Sequence, residues 1–147
     1  MKLWLNLISV GCRLWVAGVF LYAAYDKVWD PASFALIVAQ YDIIPMWLVN
    51  PGSVVMAWLQ MIAGLMLLVG WYVRPAAFWT SGMLIFFIGL MIYAGFTGAG
   101  FDCGCFPGGS EGDIAGFEVA IRDLYYLIPS LYLLWWPGQR WRLSGEA

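Results

Sequence analysis

Residues 53–97 read SVVMAWLQMIAGLMLLVGWYVRPAAFWTSGMLIFFIGLMIYAGFT, and Arg74 is the only charged residue among them. An α-helix needs about 20 predominantly apolar residues to cross the hydrocarbon core of a membrane. Two such helices fit into this stretch, at about Ser53–Tyr72 and about Pro75–Thr97, with Arg74-Pro75 as the break between them. Proline suits the first turn of a new helix. The stretch therefore predicts two successive membrane spans.

The composition of the whole chain agrees with a membrane protein. Its 147 residues are 63% hydrophobic and 11% charged, whereas soluble domains are about 45–50% apolar and about 25% charged. The net charge of −2 and the lack of a basic block argue against nucleic acid as a partner. The chain has no histidine, which removes histidine-ligated metals and Ser-His or Cys-His catalysis. Three cysteines are too few for a Cys₄ metal site, so no metal is expected.

Two further spans flank the central pair, at about Leu3–Tyr25 and about Ile114–Trp136. The segment 31–49 is apolar but is interrupted by Asp42 and Pro45. We interpret it as a short interfacial or re-entrant helix that is followed by a turn at Asn50-Pro51-Gly52, with a fifth span as the alternative.

The expected fold is therefore an all-α membrane protein. It is a four-transmembrane-helix bundle with a short interfacial helix between helices 1 and 2. A single integral-membrane domain covers residues 1–147, and its outside loops lie at about 26–52 and at about 98–113, of which the second is rich in glycine.

Basic residues near the span ends predict the orientation in the membrane. One side carries Lys2, Arg74, Arg140 and Arg142, whereas the other side carries only Lys27. Because cytoplasmic loops are enriched in lysine and arginine, we expect both termini in the cytoplasm. The loops after the first and third spans then face the outside. In a bacterium this means an inner-membrane protein whose outside loops lie in the periplasm.

The motif Cys103-Gly104-Cys105, in the loop after the third span, is the most informative one. The loop is expected on the oxidising side of the membrane, where disulfides persist. A disulfide across one residue is strained and therefore easy to reduce, so we predict a redox-active pair that exchanges with a partner thiol. A structural disulfide and a Cu(I) site are the alternatives. Cys12, expected on the other side of the membrane, is predicted to be a buried, inert thiol.

Three charged residues fall inside the predicted spans, namely Arg13, Arg122 and Asp123. Such a charge marks a functional or a pairing site by default. At about 1.5 Å per residue, Arg13 and Asp123 lie at about the same depth, so we predict a pair that ties the first span to the fourth. The alternative is a polar pocket for a quinone head group, or a proton path, in which Arg122 is an extra donor.

Lys27 and Gln60 are further polar residues at or within the predicted spans. Lys27 either approaches the cysteine loop, where a cation would lower the pKa of a thiol, or snorkels to the interface. Gln60 is expected to make a hydrogen bond to another helix. Four glycines of the central helices are expected to permit close helix packing: Gly64, Gly70, Gly82 and Gly89.

A series of residues along nearly the whole chain matches the pattern of a known family. The series comprises Arg13, Gly18-Val19-Phe20, Lys27, Trp29-Asp30-Pro31, Phe34, Tyr41-Asp42-Ile43-Ile44-Pro45, Gly64, Gly70, Asp102-Cys103-Gly104-Cys105-Phe106 and Arg122. It resembles the MauE/DoxX-type membrane proteins, which implies a bacterial four-helix membrane bundle. The sequence departs from the pattern at Gln60, Pro107 and Asp123, where an acidic residue, glycine and asparagine are expected. The departure at Gln60 puts in doubt any family-level proton role of helix 2.

The resemblance also implies a function. The MauE branch is associated with the maturation of methylamine dehydrogenase beside a thioredoxin-like partner. The DoxX/DoxD branch is linked to sulfur-compound oxidation and to quinone. The cysteine loop makes the MauE branch the better fit.

Two functions from different classes remain open. The first is a membrane thiol-disulfide redox protein, a quinone-linked oxidoreductase that exchanges electrons between a periplasmic thioredoxin-like or maturing partner and quinone. Its catalytic residues would be Cys103 and Cys105, no cofactor would be bound covalently, and the quinone or polar pocket would involve Arg13, Arg122, Asp123 and Lys27. The second is a non-catalytic accessory subunit of a larger membrane electron-transport or photosynthetic complex, which the 18% aromatic content suits.

Overall fold

The computed structural model describes residues 1–98 and 116–136, and all regular secondary structure in these two ranges is helical. Three of the helices are long and apolar enough to cross a membrane: α1 (Lys2–Trp29), α3 (Met46–Val69) and α4 (Val73–Thr97). The last helix has 19 residues, among them Glu118, Arg122 and Asp123, and is not one of the three. The helices are α1 (Lys2–Trp29), α2 (Pro31–Gln40), α3 (Met46–Val69), α4 (Val73–Thr97) and α5 (Phe117–Trp135).

The chain turns between α1 and α2 at Asp30, which ends one helix and begins the next. The Asp30 carboxylate accepts hydrogen bonds from the Ser33 hydroxyl at 2.6 Å and from the Ser33 backbone N–H at 3.2 Å. These two bonds hold the pKa of Asp30 below its usual value, and the bond from the hydroxyl has the larger effect. Pro31 follows at the start of α2, where a missing N–H is tolerated. As a result α1 runs to Trp29, beyond the predicted end at Tyr25.

The start of α3 contradicts the predicted turn at Asn50-Pro51-Gly52, because the helix begins at Met46 and continues through Pro51. Pro51 removes one backbone hydrogen bond from the helix. A buried stripe at helical spacing compensates for that loss, since it starts before the proline and continues beyond it. The predicted outside loop is therefore mostly helical, and α2 is the short helix within it. The stripe consists of Val49, Ser53, Ala57, Gln60, Gly64 and Leu67.

The two central helices separate at Gly70–Tyr72 and not at Arg74-Pro75. Gly70 adopts the left-handed conformation with φ 79°, and its N–H donates to the Met66 carbonyl at 2.9 Å. Glycine favours this helix-ending geometry because it has no Cβ. Pro75 lies in the first turn of α4, as proline prefers, but it is not the first residue of the helix.

The four long helices pack as two pairs, α1 with α3 and α4 with α5, and contacts of α1 with α5 and of α3 with α4 close the bundle. α2 lies against α3. Among the four glycines predicted to permit close packing, only Gly64 does so. A Cβ added there would lie 3.0 Å from the Leu21 side chain of α1. Gly82 and Gly89 face open space, and Gly70 caps α3.

A cluster of hydroxyl groups joins α4 to α5 inside the bundle. Ser130 Oγ lies 2.8 Å from Thr80 Oγ1 and 2.9 Å from Ser81 Oγ, and all three side chains are buried. Ser130 directly follows Pro129, at which α5 lacks a backbone N–H. Hydrogen bonds between membrane helices contribute about 0.6 kcal/mol each on average. The hydroxyl cluster therefore holds α5 to α4 at the point where α5 is weakest.

The substitution Ser130→Ala is expected to lower the free energy of unfolding by about 1 kcal/mol, because the interhelical hydrogen bonds of its hydroxyl are lost. They join it to the Thr80 and Ser81 hydroxyls and to the Ala77 carbonyl. The measurement is equilibrium unfolding in mixed detergent micelles. Ser53→Ala is the matched control, since the equally buried Ser53 hydroxyl donates only to the Val49 carbonyl of its own helix, at 2.7 Å. Equal losses in the two variants would contradict the stabilising role of the cluster.

Candidate functional site

The amine of Lys27 lies inside the bundle, with the residue only 3% exposed. Its Nζ donates a hydrogen bond to the Ala23 carbonyl at 2.9 Å and lies 5.1 Å from the centroid of the Phe34 ring. A cation is attracted to the face of an aromatic ring, more strongly where water is excluded. α2 supplies this ring, so the short helix covers the lysine. This inward position excludes the snorkelling alternative for Lys27.

Asp123 is the second buried charge, on α5, and is also 3% exposed. Its carboxylate interacts electrostatically with Lys27, and the two side chains line one cavity. Burying a single charge is strongly unfavourable, whereas an oppositely charged neighbour compensates part of that cost. The structure thus brings together two of the predicted site residues, which come from the first and the last helix.

The cavity between these charges is small, at about 30 Å³. α3 contributes Gln60, which is buried, and no residue in the described part of the chain hydrogen-bonds its Oε1. The hydrogen bond to another helix that was predicted for Gln60 is therefore not made by this oxygen. The lining consists of Val19, Phe20, Ala23, Lys27, Gln60, Leu84, Phe87, Asp123 and Tyr126.

Tyr41 lies next to this cluster, in the connection between α2 and α3. Its hydroxyl donates to Met91 Sδ at 3.9 Å, and the side chain is buried. Burial, and secondly the nearby Asp123 carboxylate, raise the pKa of Tyr41 to about 12. The hydroxyl is therefore neutral at physiological pH. Tyr41 packs with Ala94 of α4 and with Val119 of α5, near the end of the bundle where α4 stops and α5 starts.

The Lys27–Asp123 pair lies at that same end of the bundle. The Tyr132 hydroxyl near the end of α5 donates to the Leu5 carbonyl near the start of α1, at 3.4 Å. This contact shows that α1 and α5 run antiparallel. The last turn of α1, which carries Lys27, therefore lies beside the first half of α5. Asp123 is six residues from Phe117, the first residue of α5, which corresponds to a depth of about 9 Å along the helix.

The neighbouring ends of α4 and α5 are in close contact. A Cβ added to Gly95 would lie 2.9 Å from the Phe117 ring, and the rings of Phe96 and Phe117 are 5.4 Å apart. The segment 99–115, which carries Cys103 and Cys105, connects these two ends. Both cysteines lie outside the described residues, so their pairing and their approach to Lys27 stay predictions.

The two arginines predicted for the site do not line the cavity, as far as the described residues define it. Arg13 is buried on α1 and precedes Lys27 by 14 residues, which is about 21 Å along the helix axis. Arg122 is half-buried on α5. The predicted pair of Arg13 with Asp123 stays a prediction. The structure places the Asp123 carboxylate within electrostatic range of Lys27 and of Tyr41.

A larger groove of about 500 Å³ runs between α1 and α5. It is open to the surface and almost entirely apolar. Cys12 lines it as a free, half-buried thiol, which is more accessible than the buried thiol that the sequence predicted. Arg122 lies three residues, nearly one helical turn, before Tyr125 of the groove. The groove is lined by Ile8, Gly11, Cys12, Trp15, Tyr125, Ile128, Pro129 and Tyr132.

Apolar helices around a buried pair of charges define an integral membrane protein with a polar site inside its bundle. The family model described as methylamine utilisation protein MauE matches residues 4–136. The chain therefore belongs to the MauE family, which confirms the resemblance predicted from its sequence. No curated protein and no solved structure matches the chain.

Sequence reasoning missed the two other polar residues that line the cavity, Gln60 and Tyr126. Gln60 was visible as the lone polar side chain of an apolar helix, but its position relative to Asp123 depends on how α3 packs. Tyr126 follows Asp123 by three residues and so shares its helix face. That spacing is a usable sequence pattern once Asp123 is known to face inward.

A double-mutant cycle on Lys27→Met and Asp123→Leu tests the buried pair. Each single variant is expected to lose about 3–5 kcal/mol of unfolding free energy, because the remaining charge stays buried without its partner. The double variant is expected to lose less than the sum, with a coupling energy of about 1 kcal/mol or more. The measurement is again equilibrium unfolding in mixed micelles.

Asp26→Asn is the matched control for this cycle, because Asp26 acts on Lys27 electrostatically even more than Asp123 does, but is exposed, so that solvent and salt screen its effect. Exposed charge pairs contribute about 0–1 kcal/mol. The control is therefore expected to show little coupling to Lys27→Met. Additive losses for Lys27 and Asp123 would contradict the pair.

Proposed function

We propose that this MauE-family protein is a membrane thiol-disulfide oxidoreductase that acts in methylamine utilisation. Cys103 and Cys105 exchange with a periplasmic thioredoxin-like protein or with a maturing protein, and quinone is the final electron acceptor. The observation that carries the proposal is the buried Lys27–Asp123 pair, at the end of the bundle to which the cysteine-bearing segment is attached. Charged residues buried in a membrane protein mark functional sites by default.

The proposed reaction has two balanced halves. A thiolate of the partner attacks the Cys103–Cys105 disulfide, and a mixed disulfide forms. The second thiol of the partner then attacks the mixed disulfide and releases the cysteine of this chain. The partner is left with a disulfide, and Cys103 and Cys105 are both left as thiols. A quinone then takes two electrons and two protons from the two thiols, so that the disulfide is restored and a quinol leaves.

The proposal places both termini in the cytoplasm and the cysteine loop in the periplasm, on the basis of the four-to-one distribution of basic residues. It also makes α5 the fourth span. α5 packs along α1 and α4, and its inward-facing polar residues Asp123 and Ser130 are buried by those helices. Polar residues are tolerated in a span when they face the bundle interior. α2 then lies at the outer interface, where it covers Lys27.

The experiment is an activity assay with the purified protein in micelles, a reduced thioredoxin-like protein as electron donor and a short-chain quinone as acceptor. Cys103→Ser and Cys105→Ser are each expected to lower turnover at least about 100-fold, because neither half-reaction can be completed with one thiol. Cys12→Ser is the matched control and is expected to retain activity. Its thiol lies on the first half of α1, away from the end of the bundle that carries Lys27.

Two results would contradict the proposed function. One is turnover that persists in both single variants, and the other is a wild-type protein that folds but transfers no electrons. The second result would favour the accessory-subunit interpretation, since a subunit without its own chemistry needs the cysteines only for structure.

A further inference from the structure

Gln60 Oε1 is a buried acceptor in the cavity that Lys27 and Asp123 also line, and no described residue donates to it. A buried polar atom without a partner is costly, at about 1–3 kcal/mol, so native structures rarely keep one. We infer that the cavity holds a water molecule that donates a hydrogen bond to Gln60 Oε1. This water connects Gln60 to the charged pair, so the cavity is a hydrated proton-transfer site.

The size of the cavity selects water as the ligand. It measures about 30 Å³, and a buried water needs at least about 10–15 Å³. The cavity is far below the volume of about 300–1,000 Å³ that small-molecule sites offer. Water fits, and an organic ligand does not.

The lining supplies the polar partners that a buried water requires, of which about three are typical. Water has two protons to donate, and the cavity offers two acceptors, Gln60 Oε1 and the Asp123 carboxylate. Lys27 lines the same cavity, and an ammonium is a hydrogen-bond donor, which complements the lone pairs of a water.

A second cavity, between α2, α3 and α4, provides the contrast. It is larger, at about 120 Å³, but its lining is almost wholly apolar, with Phe34, Val38 and Met56 among its residues. Apolar cavities of this kind stay dry. The described part of the chain therefore contains a polar cavity that fits water and an apolar cavity that is expected to exclude it.

The hydrated cavity has a role that rests on the proposed function. Oxidation of two thiols by a quinone moves two protons as well as two electrons, and the hydrated cavity provides a route for protons at the end of the bundle to which the cysteine segment is attached. A carboxylate in contact with a water molecule can take up and release a proton without moving its side chain. Gln60 is then a positioning residue, because it holds the water against Asp123 and does not itself change its protonation.

Radiolytic footprinting tests the water directly, because X-rays generate hydroxyl radicals from bound water and mass spectrometry detects oxidised side chains. Leu84 lines the polar cavity and is buried, whereas Leu90 lines the apolar cavity and is half-buried. Leu84 is expected to be oxidised several-fold faster than Leu90, although it is the less exposed of the two. Equal rates, or a slower rate at Leu84, would overturn the inference, and this readout needs neither cysteine nor quinone.

Two substitutions of Gln60 sharpen the footprinting test. Gln60→Met has a similar shape and no strong acceptor, so the oxidation of Leu84 is expected to fall to the rate of Leu90 or below it. Gln60→Glu retains an oxygen at the same position and is expected to keep the oxidation of Leu84. An unchanged Leu84 rate in Gln60→Met would contradict the assignment of the water to Gln60.

The proton-transfer role has its own readout, the rate at which quinone reoxidises the reduced protein. Gln60→Met is expected to slow this rate about tenfold or more, while the midpoint potential of the cysteine pair stays unchanged and Gln60→Glu restores the rate. A Gln60→Met protein that has lost the water, but that quinone reoxidises at the wild-type rate, would overturn the proton role. A wild-type protein that is never reoxidised by quinone would instead overturn the proposed function, so the two failures are distinguishable.

Discussion

Burial of a lysine and an aspartate inside an apolar helical bundle is the constraint around which this protein is organised. Neither charge is stable alone in such surroundings, because desolvation costs several kcal/mol for each ion. Lys27 and Asp123 must therefore come from helices that are held side by side, and α1 and α5 meet this need by packing antiparallel. The carbonyl of Ala23 and the ring of Phe34 complete the surroundings of the ammonium.

The other elements of the fold support this arrangement. The Asp30 cap directs the chain from α1 into α2, and α2 then lays Phe34 over Lys27. Tyr41 packs near the starting end of α5, where its neutral hydroxyl adds no charge beside Asp123. The hydroxyl cluster at Ser130 holds the other half of α5 to α4. The buried charges, the short helix and the attachment points of the cysteine segment thus share one end of the bundle.

Much of the fold was predictable from the sequence, whereas the site was predictable only as a set of residues. Runs of apolar residues predict membrane helices because length and hydropathy are local properties. The turn predicted at Pro51 was wrong because a buried stripe, which is a tertiary property, outweighs a local break. The pairing of Asp123 with Arg13 was inferred from depth alone. Depth does not specify which side chains face each other, so the Arg13–Asp123 pair stays a prediction. The cavity that Lys27 and Asp123 share depends on how the helices pack, which the sequence does not specify.

The central claim is that a redox-active cysteine pair works at the end of the bundle that holds the charged pair. It is tested most directly by the redox state of Cys103 and Cys105 in purified membranes, measured by thiol-labelling mass spectrometry across a graded thiol/disulfide buffer. The account predicts a reversible two-electron transition at an oxidising potential. Free thiols at every potential, or a disulfide that does not respond to the buffer, would contradict it.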